Sequence, residues 1–270
     1  MRNHDIPSTR AQTRQSGQFV RSTPGSQSLA RGMRLLRAFL GGATQLTNAE
    51  LAERCALPRP TVSRLTRALV EGGFLEFDVA QSVYRLSPVH LSLAAIYQQD
   101  HPAFAQALPL LRESARKASV NLGLLVRDGL QMVYLASYRE AGGPVRRLVG
   151  TGSRIPIERY ASGHALIADL PPAAREALLA QLAEVHGQAW PRLARQIQRS
   201  IAQCQRQGHC TFQSVPGLWA MATALRAPDG TPCALVLTVP ADGAGAPATR
   251  WPRLLKSLAR DVQARWPPAA

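Results

Sequence analysis

The stretch LTNAELAERCALPRPTVSRLTRALVEGGFLEFD, residues 46–78, decides the fold of the N-terminal part of this chain. Thr47 and Glu50 have the spacing of a capping box, which predicts that a helix begins there and ends before the next proline. A second helix is predicted to begin at Arg59, with Pro60 in its first turn, and to end at the double glycine. Two short helices separated by a turn of about four residues are typical of a helix-turn-helix.

The residues upstream, SLARGMRLLRAFL at 28–40, predict a further helix. Ser28 stands where an N-cap residue would stand, and the double glycine Gly41-Gly42 ends the pattern. The apolar positions expected to face a core recur at helical spacing: Leu29, Met33, Leu36 and Leu40.

Downstream, FLEFD and VYRLS alternate apolar and polar residues around Val79-Ala80-Gln81, which predicts a hairpin. Three helices followed by a hairpin make a winged helix-turn-helix, expected over residues 28–88. The segment PVHLSLAAIYQQ then predicts a helix, and residues 89–119 are interpreted as helical linkers between two domains.

From residue 120 to 270 the pattern is that of an α+β domain. Two apolar strands, NLGLLVRD and LQMVYLASY, meet at Asp128-Gly129, a strong hairpin signal. A short strand near residues 147–149 and a loop are expected next, followed by helices over 161–169, 172–184 and 191–207. The strands CTFQSV, GLWAMATALRA and CALVLTV follow, the last two joined by a turn at Pro228-Asp229-Gly230, and residues 251–265 predict a final helix. Five or six antiparallel strands with helices are large enough to hold a ligand on one face.

Charge limits the partners of the chain. Its 32 Lys and Arg residues outnumber 17 Asp and Glu, for a net charge of +15, which favours a polyanion such as nucleic acid or an anionic membrane surface. No apolar run is long enough to span a membrane and no signal-peptide core is present, so no membrane partner and a cytoplasmic location are expected. Residues 1–27 are predicted to be a disordered basic arm, either a solvated tail or an arm that touches DNA.

Neither a metal site nor a catalytic site is indicated. Four scattered cysteines fit a reducing compartment, and Cys204, His209 and Cys210 have poor zinc spacing, so no metal or other cofactor is expected. The phosphate-loop, dinucleotide, nucleophile-elbow and zinc-protease motifs are missing, and Ser162 and His164 would point to different faces of a helix. The chain is therefore not expected to be an enzyme. An RNA-binding protein is a further alternative, but no aromatic stacking platform supports it.

The helix from Arg59 is interpreted as a recognition helix for double-stranded DNA. Val62, Leu65 and Leu69 share one face and would pack inward, which leaves hydroxyls and guanidiniums facing outward. Such groups bind base edges and phosphates in the major groove. The predicted DNA-binding residues are Thr47, Arg54, Arg59, Thr61, Ser63, Arg64 and Arg67, together with Tyr84 and Arg85 in the wing.

The segments SLARGMRLLRAF, LTNAELAERCALPRPTVSRLTRALVEGGFLEFD and YRLSP resemble the DNA-binding domain of the IclR family of bacterial transcriptional regulators. The segments VNLGLLVRDGLQMVYLASY, GSRIPIERYASGHALIA and PGLWAMATALRAPDGTPCALVLTV are similar to the effector domain of that family, so the resemblance covers roughly residues 28–265. It implies a GAF/profilin-like C-terminal domain, homodimers or tetramers, and control by a small-molecule effector. We expect a symmetric dimer with its recognition helices about 34 Å apart.

The effector segment departs from the pattern of family members that bind small carboxylates. No Asp or Glu lies between Gly208 and Gly217, Trp219-Ala220 replaces an Arg-Cys pair, and Val236 and Thr238 replace paired serines. A lining of this kind favours an aromatic or apolar-bodied acid, bound in part by backbone N–H groups at a helix start. The predicted effector-binding residues are Leu148, Tyr160, Ala161, Ser162, Gly163, His164, Phe212, Trp219, Met221 and Thr238. The alternative is a closed pocket and a ligand-free domain that serves only dimerisation.

Overall fold

The structure, a computed structural model, describes residues 26–140, 149–241 and 247–266. It divides into two compact units, residues 1–92 and 93–270. The predicted basic arm lies outside the described residues except for Ser26 and Gln27, which already belong to the first helix and its cap. The predicted two-domain α+β fold class is confirmed, with a helix-turn-helix unit followed by an antiparallel sheet with helices.

The first unit is a winged helix. Its elements are α1 (Gln27–Arg37), a 3-10 turn (Ala38–Gly41), β1 (Leu46–Thr47), α2 (Asn48–Cys55), α3 (Arg59–Glu71), β2 (Leu75–Asp78) and β3 (Val83–Leu86). The three strands form an antiparallel sheet in the order β1-β3-β2. The predicted hairpin is therefore the wing, and β1 fastens the loop before α2 to it.

The sequence-based prediction for α1 is wrong about its cap and its buried face. Ser26, not Ser28, caps the helix, and its Oγ accepts a hydrogen bond from the Leu29 N–H at 3.3 Å. Leu29, Met33 and Leu40 are exposed (60%, 46% and 46%), whereas Leu35 and Phe39 are buried. Two apolar stripes of helical period run through this segment, and the stripe that carries the large aromatic ring fills the core.

The prediction for α2 is confirmed, because Thr47 and Glu50 form a complete capping box. The turn into α3 begins at Ala56, which has a left-handed backbone (φ 48°). A Cβ in that conformation is strained, but the Leu57 N–H bonds the Ala52 carbonyl at 3.0 Å and the turn is held. Pro60 lies in the first turn of α3 as predicted.

The second unit contains a six-stranded antiparallel sheet. Following α4 (Val89–Asp100) and α5 (Pro102–Ala118), its elements are β4 (Asn121–Asp128), β5 (Gln131–Arg139), β6 (Arg154–Pro156), a 3-10 turn (Ile157–Arg159), α6 (Ala161–Asp169), α7 (Pro172–His186), α8 (Trp190–Gln207), β7 (Cys210–Val215), β8 (Leu218–Arg226), β9 (Pro232–Pro240) and α9 (Arg250–Arg265). The strand order is β6-β5-β4-β9-β8-β7. Both predicted hairpins, at Asp128-Gly129 and at residues 228–230, are present.

The short strand expected near residues 147–149 is not found at Val149, and residues 147 and 148 lie outside the described residues. The third strand of this region is instead β6, which pairs with β5 inside the stretch expected to be a loop. Three residues ending in a proline carry too little alternation to predict an edge strand. Among the described residues, no helix is long and apolar enough to cross a membrane.

The two faces of the large sheet bury different cores. One core unites the sheet with α5 and α9 and contains Leu111, Leu124 and Leu255. The other unites it with α6, α7 and α8, through residues such as Leu166 and Ile197. Because side chains alternate along a strand, the parity of a residue decides which core it joins.

Ala56→Gly is expected to stabilise the helix-turn-helix by up to about 1 kcal/mol, because glycine removes the strain of the left-handed conformation. Amide exchange in peptides covering residues 48–71 should slow by up to about fivefold. Ala68→Gly is the matched control, since that exposed residue lies inside α3 and the same change should speed exchange there. Faster exchange in Ala56→Gly would show that the turn carries no strain.

Candidate nucleic-acid interface and candidate effector site

The outward face of α3 is basic and polar. Val62 and Leu65 are buried in the first unit, so the opposite side of the helix faces solvent. The exposed side chains there are Arg59, Ser63, Arg64 and Arg67. None of these three arginines forms an ion pair with a carboxylate among the described residues. Their guanidinium donors are therefore available to an external anion.

A second polar residue adjoins this face and was not predicted from the sequence. The Asn48 Nδ2 donates a 2.9 Å hydrogen bond to the Ser63 Oγ, across from α2 to α3. Ser63 accepts this bond, so its own O–H can still donate outward. Thr61, two residues before Ser63, is half-buried. The only sequence signal for Asn48 was its place in the first turn of α2, which a helix-turn-helix sets against the recognition helix.

Thr47 and Arg54 are engaged inside the fold. The Thr47 hydroxyl donates to the Glu50 Oε2 at 2.8 Å and accepts from the Glu50 N–H at 3.2 Å. The backbone N–H of Thr47 also donates to this carboxylate, which lowers the pKa of Glu50. Arg54 Nη1 donates to the Ala38 carbonyl at 3.2 Å, which leaves its other N–H groups for a phosphate. Their DNA contacts stay predictions, and that of Thr47 would compete with the capping box.

The wing residues are also braced within the chain. Arg85 forms a 3.1 Å ion pair with Asp78 across the hairpin, and it donates to Gln81 at 3.0 Å and Gln45 at 3.3 Å. The half-buried Tyr84 ring lies 4.8 Å from that of Phe77. These contacts stiffen the wing, and phosphate contacts from either residue remain predictions.

The predicted effector residues at the start of α6 are buried rather than open. Ala161, Ser162 and His164 are each at most 1% exposed, and Gly163 is buried with them. A Cβ at Gly163 would lie 1.9 Å from the Ile157 carbonyl oxygen, so only glycine permits this approach of α6 to the preceding 3-10 turn.

His164 is fully buried and both of its ring nitrogens are used. Nε2 lies 2.9 Å from the Glu158 carbonyl oxygen, to which it must donate, and Nδ1 therefore accepts from the Ser200 hydroxyl at 2.8 Å. Burial lowers the pKa of His164, which favours this neutral tautomer. Its ring lies 5.4 Å from that of Phe212. The side chain thus ties the 3-10 turn, α6 and α8 together.

The structure does not bring the predicted effector residues into one lining. Trp219 and Met221 pack in the core with α5 and α9. Phe212 and Tyr160 belong to the opposite face, with α6. Leu148 lies outside the described residues. The prediction that Trp219 and Met221 share a pocket with the others is wrong, because strand alternation turns them to the other side.

Thr238 carries a hydroxyl without a hydrogen-bond partner among the described residues. It lies on the face of the large sheet that packs against α6, called the α6 face below. It pairs with Ala220, which packs in the α6 core, so the two side chains share that face. Its Oγ1 is buried and has no hydrogen-bond partner among the described residues. Asn121, buried and polar, stands directly opposite Thr238 on β4 and was missed, although a polar residue at the head of an apolar strand was a visible signal.

Two of the three residues that were considered as metal ligands, His209 and Cys210, have partners within the protein. His209 Nδ1 bonds the Gln207 carbonyl at 3.1 Å and is nearly buried. Within residues 26–140, 149–241 and 247–266, no group of three or more His, Cys, Asp or Glu side chains could hold a metal ion.

Both units of the chain are similar to known proteins. A model of the IclR helix-turn-helix domain matches residues 28–79. The HTH-type transcriptional regulator TsaQ1/TsaQ2 of Comamonas testosteroni is 28% identical over 189 residues, which cover 69% of this chain and 67% of that protein. For the first three curated relatives, the aligned stretches cover 67%, 59% and 56% of the relative's length.

Solved structures extend the likeness along the chain. An IclR-family transcriptional regulator from Brucella abortus is 25% identical, with a TM-score of 0.78 and coverage of 92% of this chain and 97% of that one. An IclR homolog from Microbacterium hydrocarbonoxydans, solved in complex with 4-hydroxybenzoate, has a TM-score of 0.70 at 22% identity, over 88% of this chain and 98% of that one.

A winged helix followed by an antiparallel sheet with helices defines a two-domain transcriptional regulator. Residues 28–79 match the IclR helix-turn-helix domain, and the chain is similar over most of its length to an IclR-family regulator, as the sequence motifs indicated. Its relatives regulate transcription, and it is a regulator rather than an enzyme.

His164→Gln is expected to weaken the acid sensitivity of the second unit. Wild-type His164 stays neutral when folded but takes a proton when unfolded, so stability is lost as pH falls below about 6.5, by at most about 1.4 kcal/mol per pH unit. All four tryptophans lie in the second unit, so urea unfolding followed by tryptophan fluorescence reports on it. The stability difference between wild type and variant should shrink between pH 7.5 and 5.5.

A His186→Gln variant serves as the control. The His186 Nε2 lies 3.1 Å from the carboxylate of Glu158, and its side chain is 17% exposed, so this histidine of the same unit keeps contact with solvent. Removing His186 should therefore leave the acid sensitivity of the second unit in place. A constant difference between wild type and His164→Gln would mean that folding does not shift the pKa of His164, and a difference that grows on acidification would mean that the folded state holds the proton.

Proposed function

We propose that this chain is a DNA-binding transcriptional regulator that acts as a homodimer or tetramer in the cytoplasm and responds to a small-molecule effector. The observation that carries the proposal is the outward face of α3, where three arginines without ion-pair partners among the described residues surround Ser63 on a winged helix. Such a helix enters the major groove of double-stranded DNA.

The geometry supports different tasks for these side chains. Ser63 and Arg64 lie in the N-terminal half of α3, where a recognition helix meets base edges, and a guanidinium there fits guanine O6 and N7. Arg67, one turn later, is proposed to bind phosphate. The net charge of +15 adds attraction to any duplex without selecting a sequence.

A second copy of this chain is the proposed occupant of two exposed apolar faces. Leu29 and Met33 on α1 are exposed although the core lies on the other side of that helix. On α4, Leu91, Leu93 and Ile96 are 76%, 50% and 61% exposed, and none of the residues of this helix is buried. Symmetric covering of such faces would place two recognition helices in successive major grooves about 34 Å apart.

The α6 face of the large sheet is the proposed effector site. It offers the aromatic side chains of Tyr160 and Phe212 and the buried, unpartnered hydroxyl of Thr238. An aromatic or apolar-bodied acid fits this chemistry, and the Microbacterium structure, of similar fold, holds the aromatic acid 4-hydroxybenzoate. Backbone N–H groups at the start of α6 are the proposed partners of the carboxylate.

A ligand-free dimerisation domain is the second candidate. It is favoured by the burial of residues 161–164 and by the complete use of both nitrogens of His164. In that case, the unpartnered hydroxyl of Thr238 would be a consequence of packing and not a binding group.

Arg64→Ala is expected to lower affinity for the preferred duplex by about tenfold or more, and affinity for random DNA by about twofold or less, because it removes a base contact. The duplex is first selected from random DNA by the purified protein, and binding is measured at one fixed salt concentration. Arg195→Ala is the control, since this exposed arginine of α8 carries the same charge and belongs to the second unit. Equal losses of affinity for both DNAs would mean that Arg64 contacts phosphate and not a base. Failure to select any duplex would contradict the proposed function.

Thr238→Val is expected to stabilise the second unit and to weaken effector binding. Removing a buried, unpartnered hydroxyl should raise the free energy of unfolding by about 1 kcal/mol, while affinity for an aromatic acid falls by about tenfold. Thr223→Val is the matched control, because the Thr223 hydroxyl donates to the Gly208 carbonyl at 2.8 Å and its loss should destabilise. Tryptophan fluorescence with benzoate and 4-hydroxybenzoate as probes measures both effects. Stabilisation without any binding of these acids to the wild type would favour the ligand-free domain.

A further inference from the structure

Two cysteines meet where α8 ends and β7 begins. Cys204 lies in the last turn of α8 and Cys210 is the first residue of β7, with Gly208 (φ 73°) reversing the chain between them. The Thr211 N–H donates to the Gln203 Oε1 at 3.0 Å, which fastens the neighbouring pair of residues across the same turn. Cys204 packs against the buried core that contains Cys210.

The two thiols differ in access and in partners. Cys210 is fully buried, and its Sγ–H donates to the carbonyl of Ala161, the first residue of α6, at 3.4 Å. Cys204 is only half-buried and can be reached by a small oxidant from solvent. Cys55 and Cys233 are both buried.

The pKa values of the two thiols also shift in opposite directions. The nearby Cys210 thiol lowers the pKa of Cys204, while the neighbouring Cys204 thiol and burial raise the pKa of Cys210. A thiolate is therefore favoured at the more exposed sulfur, and the thiolate is the form that attacks peroxides. A thiolate at Cys204 would compete with the Ala161 carbonyl for the Cys210 S–H.

We propose that Cys204 and Cys210 form a reversible dithiol switch that is oxidised by hydroperoxides. The Cys204 thiolate attacks one oxygen of the hydroperoxide, the O–O bond breaks, and a sulfenic acid forms as water or an alcohol leaves after protonation. The Cys210 sulfur then attacks the Cys204 sulfur, and water leaves as the disulfide forms. In sum, two thiols and one hydroperoxide give a disulfide, one water, and a second water or an alcohol. A small dithiol reverses the step by exchange.

The disulfide changes the start of α6. Two sulfurs in a disulfide lie about 2.05 Å apart, so α8 and β7 must draw together, and Cys210 no longer has a proton to donate to Ala161. Ala161 directly precedes the buried residues Ser162 and Gly163, which hold α6 against the 3-10 turn. Oxidation of the two cysteines would thereby alter the anchoring of α6, whether or not the α6 face binds an effector.

Trypsin provides a direct test, because it cuts after Arg206, between the two cysteines. Treatment of the full chain with hydrogen peroxide, followed by alkylation and digestion, should join SIAQCQR (200–206) to QGHCTFQSVPGLWAMATALR (207–226), less two hydrogen atoms. The protein should remain monomeric on a non-reducing denaturing gel, and dithiothreitol should restore separate peptides. Cys204→Ser should abolish the joined peptide, whereas the control Cys55→Ala should retain it. Sulfinic acid at Cys204 without the joined peptide, or a covalent dimer, would overturn the proposal.

Amide exchange tests the coupling without DNA or effector. Peptides that cover residues 157–169 should exchange about threefold faster or more in the oxidised protein, since one hydrogen bond to α6 is lost. Peroxide-treated Cys204→Ser should match the reduced wild type. Equal exchange in the oxidised and reduced wild type would overturn the link between the disulfide and α6.

Discussion

The second unit depends on one buried imidazole. His164 projects from α6, donates to the Glu158 carbonyl in the 3-10 turn and accepts from Ser200 on α8. These three elements cover one face of the sheet, and Gly163 allows them to approach because a single added Cβ would collide with the Ile157 carbonyl. A neutral ring with one donor and one acceptor suits both partners, whereas a charged ring would leave the Ser200 hydroxyl as acceptor only and would bury a charge. The position of α6, and with it the shape of the proposed effector face, follows from that protonation state.

Local chemistry decided which parts of the fold could be predicted from sequence. The capping box at Thr47 and Glu50, the proline in the first turn of α3 and the Asp128-Gly129 turn are set by neighbouring residues, and each was found where expected. The buried face of α1 was not, because its two apolar stripes satisfy the same helical period and only packing against the rest of the unit chooses Leu35 and Phe39. Strand β6 was missed for a similar reason, since three residues gain their strand conformation from pairing with β5.

The candidate sites show the same boundary between local and tertiary information. Helical period predicted which side of α3 is exposed, but not that Thr47, Arg54 and Arg85 direct donors to Glu50, Ala38 and Asp78. Trp219 was placed in the effector lining by its position in a motif, although alternation along β8 sends it to the opposite core. Side-chain partners and the choice of sheet face are properties of the assembled unit, so a list of residue types along the chain underdetermines them.

Charge by itself does not locate the nucleic-acid interface. Helix α8 carries Arg192, Arg195, Arg199 and Arg206, all exposed and without ion pairs among the described residues, so it presents more free guanidiniums than α3 does. Both helices raise affinity for a polyanion, because that term depends on the number of phosphates neutralised and not on the fold that presents the cations. What separates them is their setting. Helix α3 is the second helix of a helix-turn-helix, and its exposed face carries Ser63 and the neighbouring Asn48 beside its arginines. Mixed donors and acceptors on such a helix can reach base edges. Helix α8 instead packs against β7, the edge strand of the large sheet. The proposed specific recognition is therefore assigned to the first unit, while the basic charge of the second could strengthen binding without directing it.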